Sequence, residues 1–236
     1  MLEYTKNKRR FKKEFPEVKL IENKENLGFA KANNQALRLV YSERSLTAKG
    51  DYFLLLNSDT EVKNQALEKL IQFAQGHLEA GVIGARLLDP DGSIQPSVYH
   101  LPTLWRAIGE YWLGRKGSYE KYALTGLDPV KVEAVTGAAM LISRKTIEKV
   151  DLLDERYFMY FEDLDYCRRL LKAGLKVYYL PQAEIVHYHG ASGKGSRVTY
   201  QYSVESSKIY HGVLRFWFLT FIIWSGQKWR KIFGYY

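Results

Sequence analysis

One cysteine, Cys167, occurs in 236 residues. No internal disulfide can form, and the composition fits a reducing compartment. The sequence has no secretory signal pattern, no paired Cys/His spacing of a zinc site and no aromatic signature of an RNA-binding strand. It also lacks the run of about 20 uninterrupted apolar residues that a simple bilayer span needs. What is present is ordinary for a folded protein, 46% hydrophobic and 26% charged residues. The length can bury a full core, as one large domain or one domain with an appendage. The formal net charge is +9, with basic residues concentrated at 6–13 and 228–231. Nucleic acid, anionic lipid and a phosphorylated substrate would each suit that charge.

The chain is organised around Asp51-Tyr-Phe-Leu-Leu-Leu-Asn57-Ser58-Asp59-Thr60. Its apolar run is too short for a helix, and polar residues bound it. It reads as a strand buried on both faces, as in a parallel sheet. Asp59 then falls at the strand's C-terminal end, where open α/β sheets bind ligands. A carboxylate there can hold a divalent cation against a phosphate. The alternative is a strand-to-helix turn in which Ser58 or Asp59 caps a helix over 61–75.

Before this stretch, residues 1–16 read as a basic surface helix and 18–21 as a short strand. Asn26-Leu-Gly28-Phe-Ala-Lys-Ala-Asn33-Asn34 opens a helix with Phe29, Asn33, Ala36, Leu37 and Val40 on one face. Gly28 falls where the chain must turn close to something. Asn33 and Asn34 either aim their amides at a ligand or face water. After the helix over 61–75, with Leu67, Leu70, Ile71 and Ala74 inward, come a strand at 81–85 and a tight turn at 88–93. An aromatic excursion over 94–128 follows, with a helix near 104–113.

Residues 132–143 read as a strand pair or bent strand broken at Thr136-Gly137-Ala138-Ala139, where small side chains permit close approach. A short helix is expected at 144–150. Leu164, Cys167, Leu170 and Leu171 form the inner stripe of a helix ending at Gly174. Glu162, Asp163 and Asp165 lie in its first turn, where the dipole favours ionised carboxylates. Such acids can cap the helix or do chemistry. A strand at 176–180 should end at Pro181, and 183–195 delivers His187 and His189 into a glycine-rich loop. His187 is a candidate ligand for a borderline metal such as Mn²⁺. The stretch from Gly212 is dense in aromatics and interrupted by Arg215. It fits a helix lying in a membrane interface, with packing on the core as the alternative.

Four blocks, in this order, resemble a family 2 glycosyltransferase of the GT-A fold, nearest to rhamnosyltransferase-like members. They are Asn26-Leu-Gly-Phe-Ala-Lys-Ala-Asn-Asn34, Leu54-Leu-Leu-Asn57-Ser-Asp59-Thr, Gly137-Ala-Ala-Met-Leu-Ile and Phe158-Met-Tyr-Phe-Glu162-Asp163-Leu-Asp165-Tyr-Cys. Pro181 and His187-x-x-Gly190 trail the last. The resemblance implies an α/β fold, a Rossmann-like mixed sheet flanked by helices. It also implies inverting transfer from a nucleotide-sugar donor, dTDP- or UDP-linked, to a glycan or lipid-linked glycan of the cell envelope, with rhamnose as the sugar.

By the same resemblance, Asn57-Ser58-Asp59 occupies the place of the acidic metal motif. Asp59 and His187 would bind Mn²⁺ or Mg²⁺, and Asp163 would be the general base. Glu162 and Asp165 would orient the base or the acceptor. Gly137 and Ala138 would line the sugar pocket, and Asn26, Gly28 and Asn34 the nucleotide side. Residues 1–196 would be the transferase domain and 197–236 a membrane-associating segment at the cytoplasmic face of the plasma membrane.

Family members normally begin with a strand and helix ahead of the region matching Met1. An N-terminally truncated domain, an exposed sheet edge and homo-oligomerisation are therefore expected. The alternative is an inactive fragment, or a subunit that a partner completes. Acids and aromatics, not basic residues, fill the motif positions, which argues against nucleic acid as partner.

Overall fold

The computed structural model describes residues 10–42, 52–188 and 197–233, and side chains within them except at 40–42. Asp51, His189 and the glycine-rich loop after it lie outside the described residues. In chain order the elements are α1 (Gly28–Ser42), β1 (Tyr52–Leu56), β2 (Thr60–Val62), α2 (Ala66–Gly76), β3 (Ala80–Leu88), β4 (Val98–Tyr99) and α3 (Leu104–Tyr111). There follow β5 (Val130–Val132), β6 (Ala134–Val135), β7 (Ala139–Ser143), α4 (Arg144–Val150), α5 (Glu162–Lys172), β8 (Lys176–His187), α6 (Arg197–His211) and α7 (Val213–Phe233).

The main sheet runs β1-β7-β3-β8-β2, with β5 also on β8. Only β3 and β8 are parallel; the other pairs are antiparallel. Alternate residues of the central strands enter opposite layers, as a period of two requires. Val82, Ile142 and Val177 join Leu37 of α1 and Leu164, Cys167 and Leu170 of α5. Ile83, Leu141 and Tyr178 join Ala66, Leu70 and Ala74 of α2 on the other side. The result is a three-layer mixed α/β sandwich. β1 ends the path of the main sheet, and among the described residues no strand lies on its outer side.

Five sequence expectations are corrected. The strand expected to be buried on both faces, as in a parallel sheet, is β1, which ends the main-sheet path, pairs antiparallel with β7 and alternates half-buried and buried residues before an exposed Leu56. Residues 18–21 form no strand, because no described strand pairs with them; Val18 and Leu20 are exposed. Pro181 does not end β8: the β3–β8 register jumps from Ala85↔Leu180 to Arg86↔Glu184, and the proline sits in that irregularity. The helix expected from 61 begins at Ala66, behind a residue, Gln65, that makes no side-chain cap, and Leu67 is exposed. The inward face of α1 is Ala30, Asn34 and Leu37, one position off the expected stripe, with Ala36 outside.

Candidate active site

The carboxylate Asp59 sits in a turn, and capping no longer accounts for it. The chain leaves β1, turns through Asn57-Ser58-Asp59 and enters β2, whose Thr60 pairs with His187 at the end of β8. Thr60 Oγ1 donates to the Asn57 carbonyl at 2.7 Å, and the Tyr188 N–H to the Asp59 carbonyl at 2.9 Å. This register brings Asp59 Oδ1 to 3.4 Å from His187 Nε2. Asn57 Nδ2 is also 3.4 Å from that nitrogen.

The tautomer of His187 follows from its other nitrogen. Gln95 donates its amide N–H to Asp89 Oδ1 at 2.7 Å and to the His187 carbonyl at 3.3 Å. Its carbonyl oxygen therefore accepts, and His187 Nδ1–H donates to it at 2.8 Å. Nε2 is left with its lone pair toward Asp59. Burial lowers the imidazole pKa, outweighing the carboxylate of Asp59 that raises it. The Nε2 lone pair can accept from Asn57 Nδ2, and with Asp59 Oδ1 at 3.4 Å it also forms a two-atom donor set open to a cation. The donor set fits a divalent ion held by one carboxylate and one imidazole, with Gln95 as the orienting second partner. Among the described residues there is no cluster of three or more His, Cys, Asp and Glu side chains. The remaining ligands would then come from substrate phosphates and water, as is usual for Mg²⁺.

The second acidic group is built by α5. Its N-cap, Phe161, makes no side-chain cap, and Glu162, Asp163 and Asp165 are all buried. Asp163 accepts from the backbone N–H of Leu164 at 2.8 Å and of Gly137 at 3.1 Å. Burial raises its pKa, opposed by those two N–H donors. Glu162 Oε2, by contrast, is buried without a hydrogen-bond partner. Burial, then the charge of Asp163, pushes its pKa well above the usual carboxylate range. Both carboxyls are thus pushed toward the protonated form, Glu162 the more strongly, so Glu162 holds its proton more tightly than Asp163.

The two acidic groups are joined by the break between β6 and β7. Asn57 N–H donates to the Ala138 carbonyl at 2.9 Å, while Gly137 N–H donates to Asp163. The end of β1 and the start of α5 are thus neighbours across two residues of backbone. Ahead of Glu162, Tyr160 and Phe161 both adopt left-handed φ, at 70° and 67°. Two such non-glycine residues in succession are strained, a pattern found at functional sites. α1 braces this loop: Phe29 N–H donates to the Phe158 carbonyl at 2.8 Å. Gly28, at φ +75°, passes so close that a Cβ there would lie 2.2 Å from that oxygen. Asn26 Oδ1 accepts from the Gly28 N–H at 2.9 Å and shapes the turn.

Two expected binding residues have other tasks. Asn34 is fully buried; its amide donates to the Leu153 carbonyl and Glu155 and accepts from the Leu153 N–H. It fastens α1 to the loop after α4 rather than reaching a nucleotide. Asp165 is bound by Arg168 at 2.6 Å and Arg169 at 2.8 Å. It fixes arginines that hold the Val150, Leu152 and Tyr210 carbonyls rather than an acceptor. Sequence reasoning missed Gln95, Asp89, Tyr99 and Lys121. Tyr99 is raised in pKa by burial and then by Asp163 and Glu162. Lys121 lowers the pKa of both Asp163 and His187, a cation acting on both halves. The aromatic excursion that carries Tyr99 and Lys121 offered no signal beyond its length.

The chain is a three-layer mixed α/β sandwich with a turn acid at a strand end and a buried acid pair beside it. Its likeness to the crystal structure of GalNAc-T7 with UDP, GalNAc and Mn²⁺ has a TM-score of 0.59 at 15% identity, over 85% of this chain and 37% of that one. At that identity the likeness is one of fold, GT-A. Residues 8–200 match the model of the family described as Glycosyltransferase like family 2, and the chain belongs to that family.

Among curated relatives, the chain is 31% identical over 188 residues to the N-acetylglucosaminyl-diphospho-decaprenol L-rhamnosyltransferase of Mycobacterium tuberculosis, over 75% of this chain and 61% of that protein. Identity to the rhamnosyltransferase WbbL of Escherichia coli is 32% over 163 residues, 68% of this chain and 61% of the relative. To the dTDP-rhamnosyl transferase RfbF of Shigella flexneri it is 25%, over 70% of this chain and 50% of that one. The chain thus spans about three-fifths or less of the length of these relatives.

Proposed function

We propose that this domain transfers rhamnose, with inversion, from a nucleoside-diphosphate donor to a hydroxyl of a lipid-linked glycan. The observation that carries the reading is the backbone bridge at Gly137–Ala138, which joins the Asp59–His187 pair to the Glu162–Asp163 pair. A transferase needs a site for departing diphosphate and a base for the incoming hydroxyl at opposite sides of one sugar. Support for rhamnose comes from the names of these relatives, and support for a lipid-linked acceptor from the name of one of them, that of Mycobacterium tuberculosis. Support for dTDP over UDP comes from one of them.

In this reading the acceptor oxygen attacks the anomeric carbon as its proton passes to Asp163, and the bond from that carbon to the diphosphate oxygen breaks. The Leu164 and Gly137 N–H groups hold the Asp163 carboxylate in place. Glu162, protonated, donates to acceptor or sugar oxygens. Lys121 offsets the charge gathering on the leaving diphosphate. Asp59 and His187 would hold Mn²⁺ or Mg²⁺, which when bound neutralises that same charge. Asn57, Gly137 and Ala138 line the sugar pocket; Asn26 and Gly28 shape its rim; Asn34 and Asp165 act as positioning residues. The acceptor's lipid locates the reaction at the cytoplasmic face of the plasma membrane.

Calorimetric titration of dTDP and UDP, with and without Mn²⁺, tests the reading. Metal-dependent binding should appear in the intact chain and disappear in Asp59→Ala. Asp163→Asn should keep that binding while transfer falls by at least about a hundredfold. Binding that ignores the metal and survives Asp59→Ala would sink the metal site. A folded chain that binds neither nucleotide would favour the inactive alternative.

A further inference from the structure

Helix α7 has two unlike faces. One rests on α3: Leu219 is buried, and the Trp112 indole N–H donates to the Ile222 carbonyl at 3.1 Å. Trp112 also stacks on Trp229 at 5.7 Å, and a Cβ added at Gly226 would lie 2.8 Å from Tyr111 and Trp112. The opposite face carries Leu214, Trp217, Phe218, Phe221 and Trp224, which are 79%, 59%, 64%, 63% and 57% exposed. Steps of three and four residues align them in one stripe. A lone soluble chain seldom leaves such a stripe in water. Over Val213–Phe233 the helix has the cations Arg215, Lys228, Arg230 and Lys231 and no carboxylate. No helix among the described residues is long and apolar enough to cross a membrane.

We propose that this stripe docks on an anionic lipid surface, with the aromatic rings at the acyl boundary and Lys228 and Lys231, on the same side of the helix, among the headgroups. Trp and Phe flanked by cations, without acids, is the composition of an interfacial helix. A second copy is the poorer occupant, since it would bring one acid-free basic helix against another. The docking helix is also tied to the acidic pair. Before Gly212 comes α6, whose Ser206 hydroxyl donates to the Met159 carbonyl at 2.8 Å. Tyr202 packs on Phe158 and Tyr210 on Phe161, at 4.3 Å and 5.3 Å between ring centres. These contacts hold the strained loop ahead of Glu162. The docked helix thereby sets the height of the acidic pair above the bilayer. The surface stands on its own geometry and does not depend on the sugar transferred.

The test is flotation of the full chain with vesicles of phosphatidylcholine alone or mixed with phosphatidylglycerol. The wild type should float with the mixed vesicles. Each cation near an anionic surface is worth about fivefold in partition, so combining Lys228→Gln and Lys231→Gln should weaken binding roughly 25-fold. Trp217→Glu with Phe221→Glu should abolish it with the thermal midpoint unchanged, because both side chains face solvent. A wild type that never floats, or a Trp217→Glu/Phe221→Glu variant that floats equally, overturns the proposal. So does a vesicle-indifferent dimer that this variant dissociates, which would make a second copy the occupant.

Discussion

At the scale of single residues, the site separates like groups by their neighbours. Glu162 and Asp163 are adjacent and both buried; Asp163 accepts from the Gly137 and Leu164 N–H groups, while Glu162 Oε2 has no partner. The raised pKa of Glu162 means its contribution to stability is full below the ordinary carboxylate value and is lost as pH rises through the folded value. Glu162→Gln keeps the shape without the ionisation. Its thermal midpoint should exceed wild type at pH 8, with the gap closing below about pH 4; a gap independent of pH would refute the assignment. Asp163 carries a raised pKa too, so transfer should rise with pH through a value above the usual aspartate range. Gln95 is the corresponding test on the metal side. Gln95→Leu removes the acceptor that fixes the His187 tautomer, and Mn²⁺ affinity, read by titration, should fall about 10–100-fold. An unchanged affinity would mean that Gln95 does not orient the ligand.

At the scale of elements, the site depends on how α1 and α5 meet. Gly28→Ala must place a Cβ at 2.2 Å from the Phe158 oxygen while holding φ at +75°. The left-handed conformation alone costs about 1–2 kcal/mol, and the clash adds to it. Urea unfolding should show a loss of at least about 2 kcal/mol, and transfer should fall with it because the displaced loop leads into Glu162. That glycine was legible in the sequence, as were the existence of a strand at 52–56, though not its antiparallel, half-buried place at the end of the sheet, the helix at 144–150 and the acids opening α5. Asn34 was not. A polar residue on an inward face breaks the apolar period, and only the distant Leu153 backbone, which its amide satisfies, makes the position tenable. Pro181 misled for a related reason: a proline ends a strand unless the neighbouring strand slips past it, and that slip is a property of the β3–β8 pair. Asp59 looked like a cap because β2 is only Thr60–Val62, too short for a period to register. Gln95 and Lys121 left no local pattern, since their roles arise where separate segments meet.

At the scale of the whole molecule, the two core layers fix the sheet, and the sheet's strand ends gather the chemistry on one side. The C-terminal helices pack on the transferase layers, with Tyr210 of α6 inside one of the two cores, and add a constraint of their own. α6 grips the loop before the acidic pair, while α7 turns its aromatic stripe outward. If the acceptor is anchored in the bilayer, docking places enzyme and acceptor in the same thin layer and raises their effective concentration. It should leave the chemistry at the anomeric carbon untouched. Trp217→Glu with Phe221→Glu should therefore raise KM for a bilayer-embedded acceptor by at least about tenfold. The donor KM, and kcat on a short-chain acceptor free in solution, should stay at wild-type values. Equal losses on both acceptors would mean that α7 serves the fold of the site through α3 and α6. A selective loss would mean that this helix serves the encounter with the membrane.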